Sequence, residues 1–117
     1  MTGIFKRIDT VFLKVNDFEK AIEWYSHVLG FDVRWRDDQG GYAALNIGET
    51  PLTLVRSDRE KVESPTVYFN FYTENIEEAH KHLTENGVVV GPIEEDINVK
   101  WFKFKDLEGN ELEVCCF

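Results

Sequence analysis

The sequence predicts an α+β fold of two tandem βαβββ modules, and three observations predict it. Apolar alternation with a period of two marks short strands, and apolar stripes with a helical period mark two helices, in the order strand, helix, three strands, twice over. The second copy overlays the first at a constant shift of 58 residues, which puts Asn75 on Asp17, Ile76 on Phe18, Ala79 on Ala21 and Leu83 on Tyr25. Between the copies lies Ser57-Asp58-Arg59-Glu60-Lys61-Val62-Glu63-Ser64-Pro65, polar, charged and closed by proline, the profile of a surface connection. The 117 residues thus divide, within one domain, into module 1 at about 8–56, a linker at 57–65 and module 2 at about 66–117. In each module one helix covers one face of a four-stranded sheet and leaves the other bare. Two modules that join those faces, or the sheet edges beside them, enclose a groove.

The first strand is expected over Ile8–Val15, with Val11, Leu13 and Val15 on one face and Thr10, Phe12 and Lys14 on the other. Asp17 is a good N-cap for a helix to Leu29, whose stripe is Ala21, Ile22, Tyr25, Val28 and Leu29 and whose end is marked by Gly30. Phe31–Asp37, Tyr42–Ile47 and Leu52–Arg56 read as the next three strands, separated by the turns Asp38-Gln39-Gly40-Gly41 and Gly48-Glu49-Thr50-Pro51. The pattern restarts with a strand at Thr66–Tyr72 and a helix capped by Asn75, striped by Ile76, Ala79, His80 and Leu83, and closed by Asn86-Gly87. Strands follow at Val88–Ile93 and Val99–Lys105, while Glu94-Glu95-Asp96 reads as a solvated turn, as do Asp37 and Asp38.

The last strand closes a hairpin. Asp106 to Asn110 carry the turn chemistry, and alternation then sends Leu112, Val114 and Cys116 to the core and Glu111, Glu113 and Cys115 to the opposite face. The two cysteines are neighbours on a strand, so they point apart and are expected as reduced thiols, Cys116 in the core. No Cys/His spacing of a zinc site occurs.

Charge excludes some functions. A formal net charge of −9, with no Lys/Arg cluster free of acids, argues against nucleic acid as a partner and favours cationic small molecules. No segment approaches the ~20 apolar residues that span a bilayer, and Met1–Arg7 lacks a signal-peptide run, so no membrane partner and a cytoplasmic location are expected.

Val15-Asn16-Asp17 at the first helix, Trp24-Tyr25-Ser26-His27-Val28-Leu29-Gly30-Phe31 at its end, Gly87 after the second, and Phe104-Lys105-Asp106-Leu107-Glu108-Gly109-Asn110-Glu111-Leu112-Glu113 at the hairpin carry a resemblance over nearly the whole chain. The sequence resembles the vicinal oxygen chelate superfamily of glyoxalase I, fosfomycin and bleomycin resistance proteins and extradiol dioxygenases, with Leu107 where the family's turn usually has proline. The resemblance implies a curved mixed sheet with a cup-shaped cavity, helices on the outer face, and a homodimer. In metal-using members the ion is held by one residue from the first and last strands of each module. Those positions fall here on Thr10, Thr53, Tyr68 and Glu113, of which only Glu113 is a strong ligand. His27, His80 and His82 lie on the predicted helices, away from the cup strands, so no bound metal or other cofactor is expected.

By alternation the cup face presents Thr10, Phe12, Thr53, Val55, Tyr68, Asn70, Glu111, Glu113 and Cys115, with Trp35 and Trp101 as walls. Glu113 is the sharpest candidate. Buried without a cation it becomes a general base or an anchor for a ligand amine or hydroxyl, with Tyr68 as its hydrogen-bonding partner. At the rim it would be a solvated carboxylate. The preferred function is the binding or sequestration of a small cationic or aromatic organic molecule, as in the family's bleomycin-resistance branch. The alternatives are a glyoxalase I-like (lactoylglutathione lyase) or dioxygenase-type enzyme using a divalent metal, and metal-free acid/base catalysis by Glu113 with Tyr68.

Overall fold

A computed structural model describes Ile4, residues 7–57 and residues 69–117. The chain forms two compact units, residues 1–59 and 60–117, each with its own four-stranded mixed sheet and one helix.

Module 1 runs β1 (Val11–Val15), α1 (Phe18–His27), β2 (Val33–Asp37), β3 (Tyr42–Leu45) and β4 (Leu52–Arg56). Its strand order is β1-β4-β3-β2, with β1 parallel to β4 and the other pairs antiparallel. The Asp17 side chain accepts the Lys20 amide at 3.1 Å and so starts α1, satisfying a donor that has no partner within the helix. The helix stops two residues short of the expected Leu29. Gly30 turns at φ 79° and the Phe31 amide bonds back to the Tyr25 carbonyl at 3.3 Å, a pattern that closes the last turn before Leu29 can join it. Phe18, Ala21, Ile22 and Tyr25 form the buried stripe, and the sheet contributes Val15, Ala43, Leu45, Leu52 and Leu54 to the core. Each large side chain fully buried this way contributes about 1.5–3 kcal/mol. Arg36 and Arg56 lie over the Phe18 ring at 5.7 and 4.9 Å. Arg36 also pairs with Asp38 and Glu19, whose hydrogen bonds hold its guanidinium above the ordinary arginine value.

Module 2 repeats the plan with β5 (Asn70–Tyr72), α2 (Ile76–Glu85), β6 (Glu94–Asp96), β7 (Val99–Lys105) and β8 (Glu111–Cys116), in the order β5-β8-β7-β6. Residues 66–68 of the expected first strand lie outside the described residues, as does most of the 57–65 linker. The Asn75 side chain caps α2 through the Glu78 amide at 3.1 Å, and Gly87 follows its end at φ 75°. Ile76, Leu83, Phe102, Phe104, Leu112 and Val114 form the core. His80 packs its ring on Phe102 at 4.9 Å, with Nε2 2.9 Å from the Gly91 carbonyl oxygen, as a stripe-edge histidine does.

Three expectations are corrected here. Val88–Ile93 is not a strand: it makes one bridge, Val90 to Phe104, with the Gly91 and Lys105 amides bonding across. Pro92 has no amide to continue the ladder, so pairing resumes only at Glu94–Asp96, the segment expected as a turn, which pairs with Val99–Trp101. Cys116 is partly exposed rather than in the core, because its cross-strand neighbour is Lys100 and apolar cover ends at Val114. Its thiol lies 3.6 Å from the Glu74 carbonyl oxygen, and both cysteines are free.

Candidate functional site

The helix of module 1 covers the face that carries Leu13, Leu54 and Ala43. The opposite face is read from the register: Phe12 is paired with Thr53, Thr53 with Ala44, and Ala44 with Trp35. These four side chains form one row across the sheet. Neighbouring strands lie 4.7–4.9 Å apart, so Phe12 and Trp35 stand about 14 Å apart at the backbone. Thr53 and Ala44, on the central strands, are short and only 2% and 1% exposed; Phe12 and Trp35, on the edge strands, are tall and 61% and 51% exposed. A low floor between two aromatic walls results, a groove of about 430 Å³ that Thr10 and Tyr42 also line. The adjacent row, Lys14, Val55, Tyr42 and Asp37, lies on the same face. Of the expected cup residues, Thr10, Phe12, Thr53, Val55 and Trp35 thus share one face. Tyr42 was not among them, although the alternation of β3 would have placed it there.

On the groove floor the Thr10 and Thr53 hydroxyl oxygens are 2.7 Å apart, and the Thr10 hydroxyl donates to the Pro51 carbonyl at 3.0 Å. At the mouth Arg7 pairs with Asp9 at 3.1 Å. Thr10 and Thr53 stand where the resemblance puts two metal ligands. Their neutral hydroxyls are bonded to each other and do not fit a divalent ion, which takes carboxylate, imidazole or thiolate donors. Among the described residues no group of three His, Cys, Asp or Glu side chains could hold a metal.

In module 2 the face away from α2 carries two rows. Asn70, Glu113 and Lys103 form one, and Tyr72, Cys115, Trp101 and Glu94 the other. Glu111 lies on this face beside Lys105 and pairs with Lys103 at 3.5 Å. Glu113 is partly exposed, with a carboxamide on one flank and an ammonium on the other. Tyr68, its expected partner, lies outside the described residues. Lys103 was missed in the sequence, yet the hairpin implies it: counting outward from the Asp106–Asn110 turn pairs Lys105 with Glu111 and Lys103 with Glu113.

The two modules repeat not only their element order but their register, since Phe12 faces Thr53 as Asn70 faces Glu113. No described helix is long and apolar enough to cross a membrane. Among known proteins, the uncharacterized protein YraH of Bacillus subtilis (strain 168) is 28% identical over 88 residues, 65% of this chain and 69% of that one. TnmS3, an antibiotic binding protein from Streptomyces sp. CB03234, superposes with a TM-score of 0.80 at 21% identity, covering 97% of each chain. A lactoylglutathione lyase from Agrobacterium tumefaciens superposes with a TM-score of 0.77 at 20% identity, covering 97% of this chain and 95% of that one. At such identity these two structures speak for the fold alone. The family model of the Glyoxalase/Bleomycin resistance protein/Dioxygenase superfamily matches residues 7–114, nearly the whole chain, and this chain belongs to that superfamily.

Proposed function

We propose that this protein binds a small aromatic or cationic organic compound on the open face of module 1, in the manner of a sequestering protein of the bleomycin-resistance type. The observation that carries the reading is the row Phe12, Thr53, Ala44, Trp35: two half-exposed rings at the ends of a buried, nearly flat floor. Exposed rings in such an arrangement offer π faces to a flat ligand and attract cations, and a net charge of −9 raises the local concentration of cationic compounds. The name of TnmS3, an antibiotic binding protein, is in keeping with this use of the fold. Module 2 offers a second, polar face on which Glu113 is the carboxylate that would anchor a ligand amine. No step is derived through a metal, because the hydroxyls of Thr10 and Thr53 supply none of the donors such a site takes.

Calorimetric titration and a thermal-shift panel of planar aromatic amines and aromatic antibiotics test the proposal. Saturable binding is expected, weakened about tenfold or more in Trp35→Ala through loss of a buried aromatic contact, with Lys81→Ala, an exposed position on α2, as a control. No binding across the panel would sink the reading. So would stoichiometric nickel, zinc, iron or manganese in protein isolated without chelators.

A further inference from the structure

We infer that the floor of the module 1 groove accepts hydrogen bonds and donates none, so that the aromatic compound it selects carries an N–H or O–H donor of its own. This deepens the binding role proposed above and rests on it. The polarity follows from one carbonyl. The Pro51 oxygen can only accept, and it receives the Val11 amide at 3.1 Å and the Thr10 hydroxyl at 3.0 Å. A hydroxyl has a single hydrogen, so that of Thr10 is used at Pro51. The hydrogen in the 2.7 Å contact between the two threonines therefore belongs to Thr53.

The relay runs Thr53 to Thr10 to Pro51, and neither threonine has a hydrogen left for a ligand. What remains on the floor is lone pairs, up to two on Thr53 and one on Thr10. Donating its own hydrogen makes the Thr53 oxygen a better acceptor, since linked hydrogen bonds polarise one another. Ala44 and Phe12 beside it bring no polar side-chain atom, and the donors that do line the groove stand off the floor: the Tyr42 hydroxyl and the Trp35 indole on other positions of the face, Arg7 paired with Asp9, and Arg34 bonded to the Asn46 side-chain oxygen. A ligand that covers the floor with a carbonyl or an alkyl group sets nothing against these lone pairs that can pair with them. One that covers it with N–H supplies the missing donor.

Two isomers separate these cases. Harmane carries its methyl group on carbon and keeps a free indole N–H; 9-methyl-β-carboline carries the same methyl on that nitrogen. In mildly alkaline buffer both are uncharged, and isothermal titration gives their affinities for the wild type, Thr53→Val, Thr53→Ser and Trp35→Ala. Harmane is expected to bind the wild type about tenfold more tightly. Thr53→Val should bring the isomers to within about twofold of each other, and Thr53→Ser, which restores the hydroxyl, should keep the preference. Equal affinities in the wild type, or a preference that persists in Thr53→Val, overturns the inference and leaves the groove reading in place. Trp35→Ala should weaken both isomers alike. Affinities that it does not move, or binding of neither isomer to the wild type, overturn the groove reading together with the inference.

Discussion

Replacing Asp106 by alanine should damage this protein more than any other single change in the turn of its last hairpin. Asp106 is only 6% exposed and sits where β7 turns into β8. One carboxylate oxygen accepts the Glu108 and Asn110 amides at 2.9 and 2.8 Å, and the other accepts the Asn110 side-chain amide at 2.8 Å. Backbone bonds from Asp106 to Asn110 and from Gly109 to Asp106 complete the turn. A hydrogen bond to a charged group is worth about 1.5–3 kcal/mol, but the three share one residue and the freed amides, only part-buried, regain some water. The net loss for Asp106→Ala is therefore about 2–4 kcal/mol, a large share of the 5–15 kcal/mol typical of a domain. For a chain of 117 residues this lowers the melting temperature by roughly 8–20 °C. Urea unfolding reads it as a lowered midpoint at unchanged slope. Asp106→Asn keeps an oxygen for the two backbone amides and should lose about half as much. An alanine variant within about 0.5 kcal/mol of wild type, or an asparagine variant equally damaged, would refute the assignment of the turn's stability to this carboxylate.

Two further outcomes follow from the charges. Glu77, in the first turn of α2, bonds its own backbone amide and pairs with Lys100 at 3.3 Å, and these hold its carboxyl below the ordinary glutamate value. A depressed folded value means that the stabilisation is present above the unfolded value of about 4.3 and is lost as pH falls through the folded one, so wild type should lose more stability on acidification than Glu77→Gln; identical acid profiles for the two would count against it. For Glu113→Gln, affinity for cationic aromatics should fall several-fold while neutral aromatics are unaffected, and equal loss for both would show that the carboxylate shapes the face rather than anchoring an amine.

Local side-chain chemistry is what made the fold legible. Asp17 and Asn75 cap the helices because a short side chain there reaches an amide three residues on, and Gly30 and Gly87 follow the ends because the chain turns left-handed. Both facts are written in a few adjacent residues. The Val88–Ile93 reading failed because three valines outweigh one proline in a propensity argument, whereas in a ladder a single missing donor stops the pairing. Glu94-Glu95-Asp96 was misread for the complementary reason. Charged residues are disfavoured inside a sheet but tolerated on an edge, and β6 is an edge strand. The faces of Thr10, Phe12, Thr53 and Val55 followed from alternation, and Tyr42 and Lys103 were legible by the same alternation and by counting outward from the hairpin turn, whereas the row that joins Phe12 to Trp35 required knowing which strands pair and in what register.

The repeat also explains how one scaffold presents two kinds of chemistry. Phe12 opposite Thr53 and Asn70 opposite Glu113 are equivalent pairs, since in each module the first strand lies parallel to the last at matching register. Backbone geometry therefore does not distinguish them; only the side chains do. In module 1 the pair and its row supply rings over a hydroxyl relay, so the recognition proposed there would depend on burial and on the direction of a few neutral hydrogen bonds. In module 2 the equivalent pair supplies a carboxamide and a carboxylate beside Lys103, so the recognition proposed there would depend on charge. Burial responds little to moderate salt, whereas the attraction between exposed charges weakens with salt and is largely screened beyond about 10 Å at ordinary ionic strength. On the proposed reading, affinity for a neutral aromatic compound on the first face should therefore depend less on salt than affinity for a cationic one on the second.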